Sequence, residues 1–314
     1  MIKLYTVVPC YNEEEVLNET AKRLSEKYDS LINCGLISDL SRIVFVNDGS
    51  KDNTWSIILK LYNENPYIQG INLSRNRGHQ NALLAGLMEV RNDADCVISM
   101  DADLQDDINA IDEMLKKYND GCDIVYGVRA SRKTDTAFKK FTAQGFYKLT
   151  NKMGGELVYN HADYRLMSRR ALEALSDFKE VNLFLRGIVP MLGFKSDKVF
   201  YDRGERFAGK SKYPLKKMLS FAMEGITSLS IRPIEAIYKL GFLVCVVGGG
   251  VLIYALVRHI SGNTEAGWTS LMGSLWLLGG LQLLAIGIVG KYIGKMYLET
   301  KARPRYIISE YLKK

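Results

Sequence analysis

The stretch Cys96-Val97-Ile98-Ser99-Met100-Asp101-Ala102-Asp103-Leu104-Gln105-Asp106-Asp107 runs from an apolar strand straight into a cluster of carboxylates. The apolar half has the length and composition of a buried strand. Two aspartates, Asp101 and Asp103, then stand one residue apart at its carboxyl end. Hard divalent cations such as Mg²⁺ take oxygen ligands, usually one or two carboxylates with substrate phosphates completing the shell. Asp101 and Asp103 are therefore candidate metal ligands. Acidic loops are common on protein surfaces, so the pair gains weight only from the fold around it.

Moving outward, the first half alternates apolar runs with helical ones. Strands are predicted at Leu4–Val8, Arg42–Val46, Ile68–Leu73, Cys96–Met100 and Asp123–Tyr126. Helical patterns lie near Glu14–Tyr28, Asn53–Glu64, Gln80–Val90 and Ile108–Tyr118. Strands alternating with helices argue for an α/β fold with a mostly parallel sheet covered on both faces. Ligands of such sheets bind beyond the carboxyl ends of the strands, and the polar clusters of this chain follow the strands in that way. From Ala130 to Tyr213 the pattern is irregular, with a basic helical stretch at Phe138–Lys152 and a basic loop from Arg203 to Lys212.

The 314 residues carry 42 Lys and Arg against 35 Asp and Glu, a net charge of +7 that points to anionic partners. Nucleic acid is not indicated, because the basic residues are not interleaved with stacking aromatics. A phospholipid surface and phosphorylated substrates explain the charge. The five cysteines are scattered without a CxxC, as reduced thiols are. Met1–Pro9 has no basic-then-apolar leader pattern and reads as a first strand.

Pro214–Ser230 places Leu215, Met218, Leu219, Ala222, Met223 and Ile226 on one side, as an interfacial amphipathic helix would. Leu240–Val257 and Ala266–Gly290 contain no charged residue and match the length of membrane spans. The expected organisation is a catalytic domain over residues 1–212, an amphipathic helix over 213–233, two transmembrane helices over 234–292 and a basic tail over 293–314. Lysines and arginines flanking the two runs predict that the domain and both termini lie on the cytoplasmic side of the membrane.

Two further segments follow strands. Val8-Pro9-Cys10-Tyr11-Asn12-Glu13 offers polar groups for a base and ribose, or simply an acidic helix amino terminus. Asn47-Asp48-Gly49-Ser50 offers Asp48 as an acceptor for a base N–H, and is turn chemistry in any protein. Taken with Asp101-Ala102-Asp103-Leu104-Gln105 and Ser74-Arg75-Asn76-Arg77-Gly78-His79-Gln80, in this order, they resemble the family-two glycosyltransferases. The likeness is greatest to the polyprenyl-phosphate enzymes, bactoprenol glucosyltransferases and dolichol-phosphate mannose synthases. It continues through His161-Ala162-Asp163-Tyr164-Arg165-Leu166-Met167, Leu185-Arg186-Gly187 and Arg206–Tyr213, and so covers nearly the whole chain. Asp106-Asp107 departs from it, since many members have a proline there.

The resemblance implies a nucleotide-sugar-binding domain of GT-A type. It implies Asp48 at the base with Pro9, Tyr11 and Glu13 around it, and Asp101, Asp103 and Gln105 at Mg²⁺ or Mn²⁺ and the diphosphate. Asp103 and Asp163 would be the catalytic residues, Asp163 as base or orienting group for the acceptor. Arg129, Arg132, Arg203, Arg206 and Lys210 would grip phosphates. His79 and His161 lie in matching segments and read as packed polar residues. The implied reaction is inverting transfer of a hexose, glucose from UDP-glucose, to undecaprenyl phosphate, with GDP-mannose, UDP-galactose or a UDP-aminosugar as alternative donors. A homo-oligomer and a flippase in the same pathway are implied as partners. A processive polysaccharide synthase is disfavoured, because Trp55, Trp268 and Trp276 do not follow an arginine. A non-catalytic scaffold is disfavoured because both carboxylates are kept.

Overall fold

The fold was taken from a computed structural model. It describes residues 1–130, 161–180, 183–202, 204 and 267–314, with isolated positions between 234 and 257. An eight-stranded sheet forms the centre, in the order β7-β5-β6-β4-β1-β2-β3-β8. The first strands are β1 (Leu4–Cys10), β2 (Arg42–Asn47), β3 (Ile68–Leu73), β4 (Cys96–Ser99) and β5 (Ile124–Arg129). Later come β6 (His161–Ser168), β7 (Ser196–Tyr201) and β8 (Ile308–Leu312). β1 pairs in parallel with β2 and β4, β2 with β3, and β5 with β7. β6 runs antiparallel between β4 and β5, and β8 runs antiparallel along β3. The expected mostly parallel sheet is thus a mixed one.

Between the strands lie α1 (Leu17–Asn33), α2 (Thr54–Glu64), α3 (His79–Val90), α4 (Ala110–Asn119), α5 (Arg169–Ser176) and α6 (Leu185–Met191). β1 reads Leu-Tyr-Thr-Val-Val-Pro-Cys and is buried along its whole length, as a strand covered on both faces must be. One face packs Leu4, Val8, Phe45 and Ile98 against Leu17, Leu24, Ile58 and Met114. The other packs Val7, Val44 and Val46 against Leu83, Leu84, Leu172 and Ile188. The spacing of Leu17, Ala21, Leu24, Tyr28 and Leu31 gives α1 its single buried stripe. Gly86 lets α3 lie close on the sheet, since a Cβ there would meet Val7 Cγ1 at 2.4 Å.

The two expected membrane spans are corrected by the structure. The first, Leu240–Val257, lies outside the described residues except for isolated positions, as does the amphipathic helix at 213–233. The second falls in α7 (Trp268–Thr300), a helix of 33 residues. Gly279, Gly280, Gln282, Gly287 and Gly290 dilute its apolar residues, and it runs on through Lys291, Lys295 and Glu299. Large side chains such as Leu275, Leu283 and Ile286 stand exposed along it. Among the described residues no helix is long and apolar enough to cross a membrane. The two-span placement, with both termini on the cytoplasmic side, loses its basis with that finding. Residues 293–314, expected as a basic tail, supply the end of α7 and strand β8.

Candidate active site

Those expected site residues that the structure describes gather where the parallel strands end. β1 runs into Tyr11–Glu13, β2 into Asp48, β4 into Asp101–Gln105, and β5 ends on Arg129. Because β6 runs the other way, its first residues, not its last, reach this rim. The register Ser99↔Arg165 aims residue 163 at residue 101. A cavity of about 710 Å³, lined by Met1, Tyr118, Asp123 and Arg169 among others, opens at the opposite end of the strands and shares no residue with this rim.

The nucleotide-side loops are stitched together by short polar residues. Asn12, with φ at 53°, donates its N–H to Ser50 Oγ at 3.0 Å and accepts from Lys51 N at 2.9 Å. Glu13 donates its N–H to Thr54 Oγ1 at 2.9 Å, while its carbonyl accepts from Val16 and Leu17 and opens α1. Pro9 is buried within β1, and Tyr11 is exposed at the rim. Asp48 is buried, and each of its oxygens accepts a backbone N–H, from Arg77 at 2.6 Å and Gly78 at 2.9 Å. Burial nevertheless pushes its carboxyl up. The residue expected at the base therefore fixes the loop that launches α3, and with it His79. Gly49 makes that approach possible: its φ is +62°, and a Cβ would meet Asn76 N at 2.5 Å.

The loop of paired aspartates is held from several sides. Thr20 Oγ1 of α1 donates to the carbonyl of Ala102 at 2.8 Å, and Tyr164 Oη donates to that of Asp107 at 3.0 Å. Gln105 donates its N–H to Asp103 Oδ1 at 3.2 Å, and its carbonyl accepts from Gly204 N at 2.9 Å. Between them Leu104 holds φ at 56°, a conformation that costs a branched residue energy and that clusters at functional sites.

His79 brings two strands' carboxylates together. Its Nε2 lies 3.5 Å from Asp101 Oδ1 and 3.7 Å from Asp163 Oδ2. Asp163 is also clasped by Arg186 of α6, Nε to Oδ1 at 3.1 Å and Nη2 to Oδ2 at 2.9 Å. Arg165, fully buried beneath, brings Nη2 to 3.6 Å from Asp163 Oδ1. Burial would raise the Asp163 carboxyl, but the two guanidiniums outweigh it and hold it well below the usual carboxylate range. Asp101 shifts the other way: burial raises it, and nearby Asp163 and Asp103 raise it further against the pull of His79.

That electrostatic crowding fits a divalent cation, whose charge would relieve the repulsion among Asp101, Asp103 and their neighbours. Among the described residues no group of three or more His, Cys, Asp or Glu forms a metal cage. An ion at Asp101 and Asp103 would thus draw further ligands from substrate and water, as Mg²⁺ commonly does. Arg129 lies near Asp106, Nη2 to Oδ1 at 4.0 Å. Arg132, Arg203, Arg206 and Lys210 lie outside the described residues. Sequence reasoning gave no role to Arg165, Arg186 or Asp106. The available signal was a charge inside an otherwise buried run, as in Tyr164-Arg165-Leu166-Met167.

A family model described as Glycosyl transferase family 2 matches residues 5–176. The chain belongs to that family. Uncharacterized glycosyltransferase YkoT of Bacillus subtilis (strain 168) is 57% identical over 305 residues, spanning 97% of this chain and 90% of that protein. The prophage bactoprenol glucosyl transferase homolog of Escherichia coli (strain K12) is 41% identical over 311 residues, covering 98% of each. The bactoprenol glucosyl transferase of Shigella phage SfX is also 41% identical, covering 98% of this chain and 99% of that one. Among solved structures, mannosyl-3-phosphoglycerate synthase from Rubrobacter xylanophilus is 14% identical with a TM-score of 0.48, covering 74% of each chain, a likeness too distant to carry an argument. The protein is a glycosyltransferase of family 2, and the motif likeness extends over nearly its full length.

Proposed function

We propose that this glycosyltransferase moves a hexose, glucose from UDP-glucose, to the phosphate of a polyprenyl lipid such as undecaprenyl phosphate, inverting the anomeric carbon. The observation that carries the reading is the rim itself: Asp101, Asp103 and Asp163 gathered from two strands, with Arg129, Arg165 and Arg186 among them. Relatives named as bactoprenol glucosyl transferases support the lipid acceptor and the glucose.

In this reading Asp101 and Asp103 hold Mg²⁺ or Mn²⁺, with Gln105 beside them. When bound, the metal supplies positive charge to the diphosphate. Tyr11, Glu13 and Asp48 form the nucleotide side, with Pro9 shaping the strand beneath. The acceptor needs little help from a base, because a phosphate monoester is already largely anionic at neutral pH. What it needs is placement against the anomeric carbon, since orientation alone removes a large part of such a barrier. Arginines suit that task through their planar fork of donors.

The test is direct. Purified protein is given undecaprenyl phosphate in detergent, Mg²⁺ or Mn²⁺, and in turn UDP-glucose, UDP-galactose, GDP-mannose and a UDP-aminosugar. Release of UDP from UDP-glucose above that from the other donors is expected. No lipid-dependent nucleotide release from any donor would overturn the reading.

A further inference from the structure

The Asp163–Arg186 pair has a geometry built for holding. The two nitrogens of one guanidinium edge meet the two oxygens of one carboxylate, at 3.1 and 2.9 Å. Such bidentate pairing fixes the plane of the guanidinium as well as its place. Asp163 itself is anchored: its carbonyl accepts from Ser99 Oγ at 2.5 Å, and its side chain is only 13% exposed. Arg186, by contrast, is 31% exposed at the side chain.

Arg165 explains how the pair can serve a third party. It is fully buried, 3.6 Å from Asp163, and among the described residues none of its three guanidinium nitrogens has a hydrogen-bond partner. Such a cation contributes charge, with no hydrogen bond to define a direction. A buried carboxylate stripped of its only counter-ion is destabilised steeply. Asp163 keeps Arg165 beneath it whatever Arg186 engages above. A guanidinium presents five N–H groups in a planar fork, so one guanidinium can serve a carboxylate and a phosphate at once.

We propose that Asp163 acts as a positioning residue in this enzyme, holding Arg186 so that its guanidinium binds a substrate phosphate at the Asp101 rim. The inference rests on the transfer reaction proposed above, and the phosphate is either the donor's diphosphate or the acceptor's monoester. A base role for Asp163 fits the site less well. General bases work best with a pKa near the working pH, and two arginines hold this carboxyl far below it.

Two experiments decide it. The first needs no turnover: phenylglyoxal modification of the full-length protein, read by mass spectrometry. Arg186 should be modified in the free protein and protected by UDP or by a short-chain prenyl phosphate, and the protecting ligand names the source. The second is kinetic. Arg186→Gln should raise the KM for that same ligand about tenfold or more, the size of a lost charge-assisted hydrogen bond. Adding Asp163→Asn to Arg186→Gln should then cost less than about threefold more, because residues that act as one unit are not additive. Methylguanidine should restore activity to Arg186→Ala and not to the Arg186→Ala/Asp163→Asn double variant. Arg186→Lys, which keeps the charge beside Asp163, supplies a folded comparison should the other variants unfold: it should show the same rise in KM. Protection by neither ligand would overturn the proposal. So would a full further loss from Asp163→Asn in the Arg186→Gln background, which an independent base would give. Should the wild-type protein turn over no donor, the proposed reaction fails while the protection experiment still decides Arg186.

Discussion

Tyr201 donates its hydroxyl to Oδ1 of Asp106 at 2.5 Å, joining residues 95 positions apart. The bond ties the loop of paired aspartates to the end of β7. It lies in the interior, where Asp106 is 4% exposed and its Oδ2 has no hydrogen-bond partner among the described residues. Burial, with Asp101 next, pushes the Asp106 carboxyl up to about 6, against the pull of Tyr201 and Arg129.

Asp106→Asn is therefore expected to stabilise the metal-free protein above pH 6. A carboxyl whose pKa is higher folded than unfolded takes up a proton on folding. The cost of ionising it is absent below about pH 4, grows between 4 and 6, and is complete above 6. The variant should gain at most about 3 kcal/mol at neutral pH, and lose that advantage in acid. Urea melts from pH 4 to 8 measure it, and a difference between the two proteins that ignores pH would contradict the assignment.

Asp103→Asn should cut transfer by about a hundredfold or more, as loss of a group stabilising developing charge does. The fold should survive, because an asparagine oxygen can still accept from Gln105 N. In parallel, EDTA should silence the native enzyme and Mg²⁺ or Mn²⁺ should revive it. Unimpaired turnover by the variant, or indifference to chelation, would remove the metal from Asp103.

Asp48→Asn replaces one of two acceptor oxygens with an N–H₂ that must face a backbone N–H. Arg77 and Gly78 both donate to this carboxylate. The expected cost is about 2 kcal/mol, concentrated in the loop entering α3. Hydrogen exchange at the amides of Arg77 and Gly78 should quicken while that in β1 stays unchanged. Uniform loss of protection would mean a global effect instead.

Gly86→Ala tests how closely α3 lies on β1. The new methyl would meet Val7 Cγ1 at 2.4 Å and Val46 Cγ2 at 2.8 Å. Overpacking of this kind costs about 1–3 kcal/mol, read as a lower denaturation midpoint. Coupling Gly86→Ala with Val7→Ala should recover part of it, and no recovery would place the strain elsewhere.

The sequence revealed the fold best where contacts are local. β3 was legible end to end, and β1, β2, β4 and β5 differ from expectation by a few terminal residues, because an apolar run between turn residues carries its own signal. β6 and β8 were not read as strands. Both are antiparallel and pair with segments far away in the chain, and their alternation is broken by charge, as in His-Ala-Asp-Tyr-Arg and Ile-Ser-Glu-Tyr-Leu. The site shows the same division. Asp48, Asp101 and Asp103 follow parallel strands and could be placed by rule, whereas Asp163 reaches the rim only because β6 runs backwards. Arg186 arrives from a helix of seven residues with no strong pattern of its own. The uncharged run ending at Gly290 misled because length and lack of charge were weighed, while its glycines and Gln282 were not.

The sheet's last strand also sets an order of events in synthesis. β8 follows its partner β3 only after every other element described, pairs Gly70 with Leu312, and is flanked by a bond from Gln69 Nε2 to the carbonyl of Lys314 at 3.2 Å. Until α7 and β8 have emerged from the ribosome, β3 waits with an open edge of unpaired N–H and C=O groups, the kind of surface on which other chains can nucleate. Docking of β8 along β3 is thus the late step that closes this edge of the sheet.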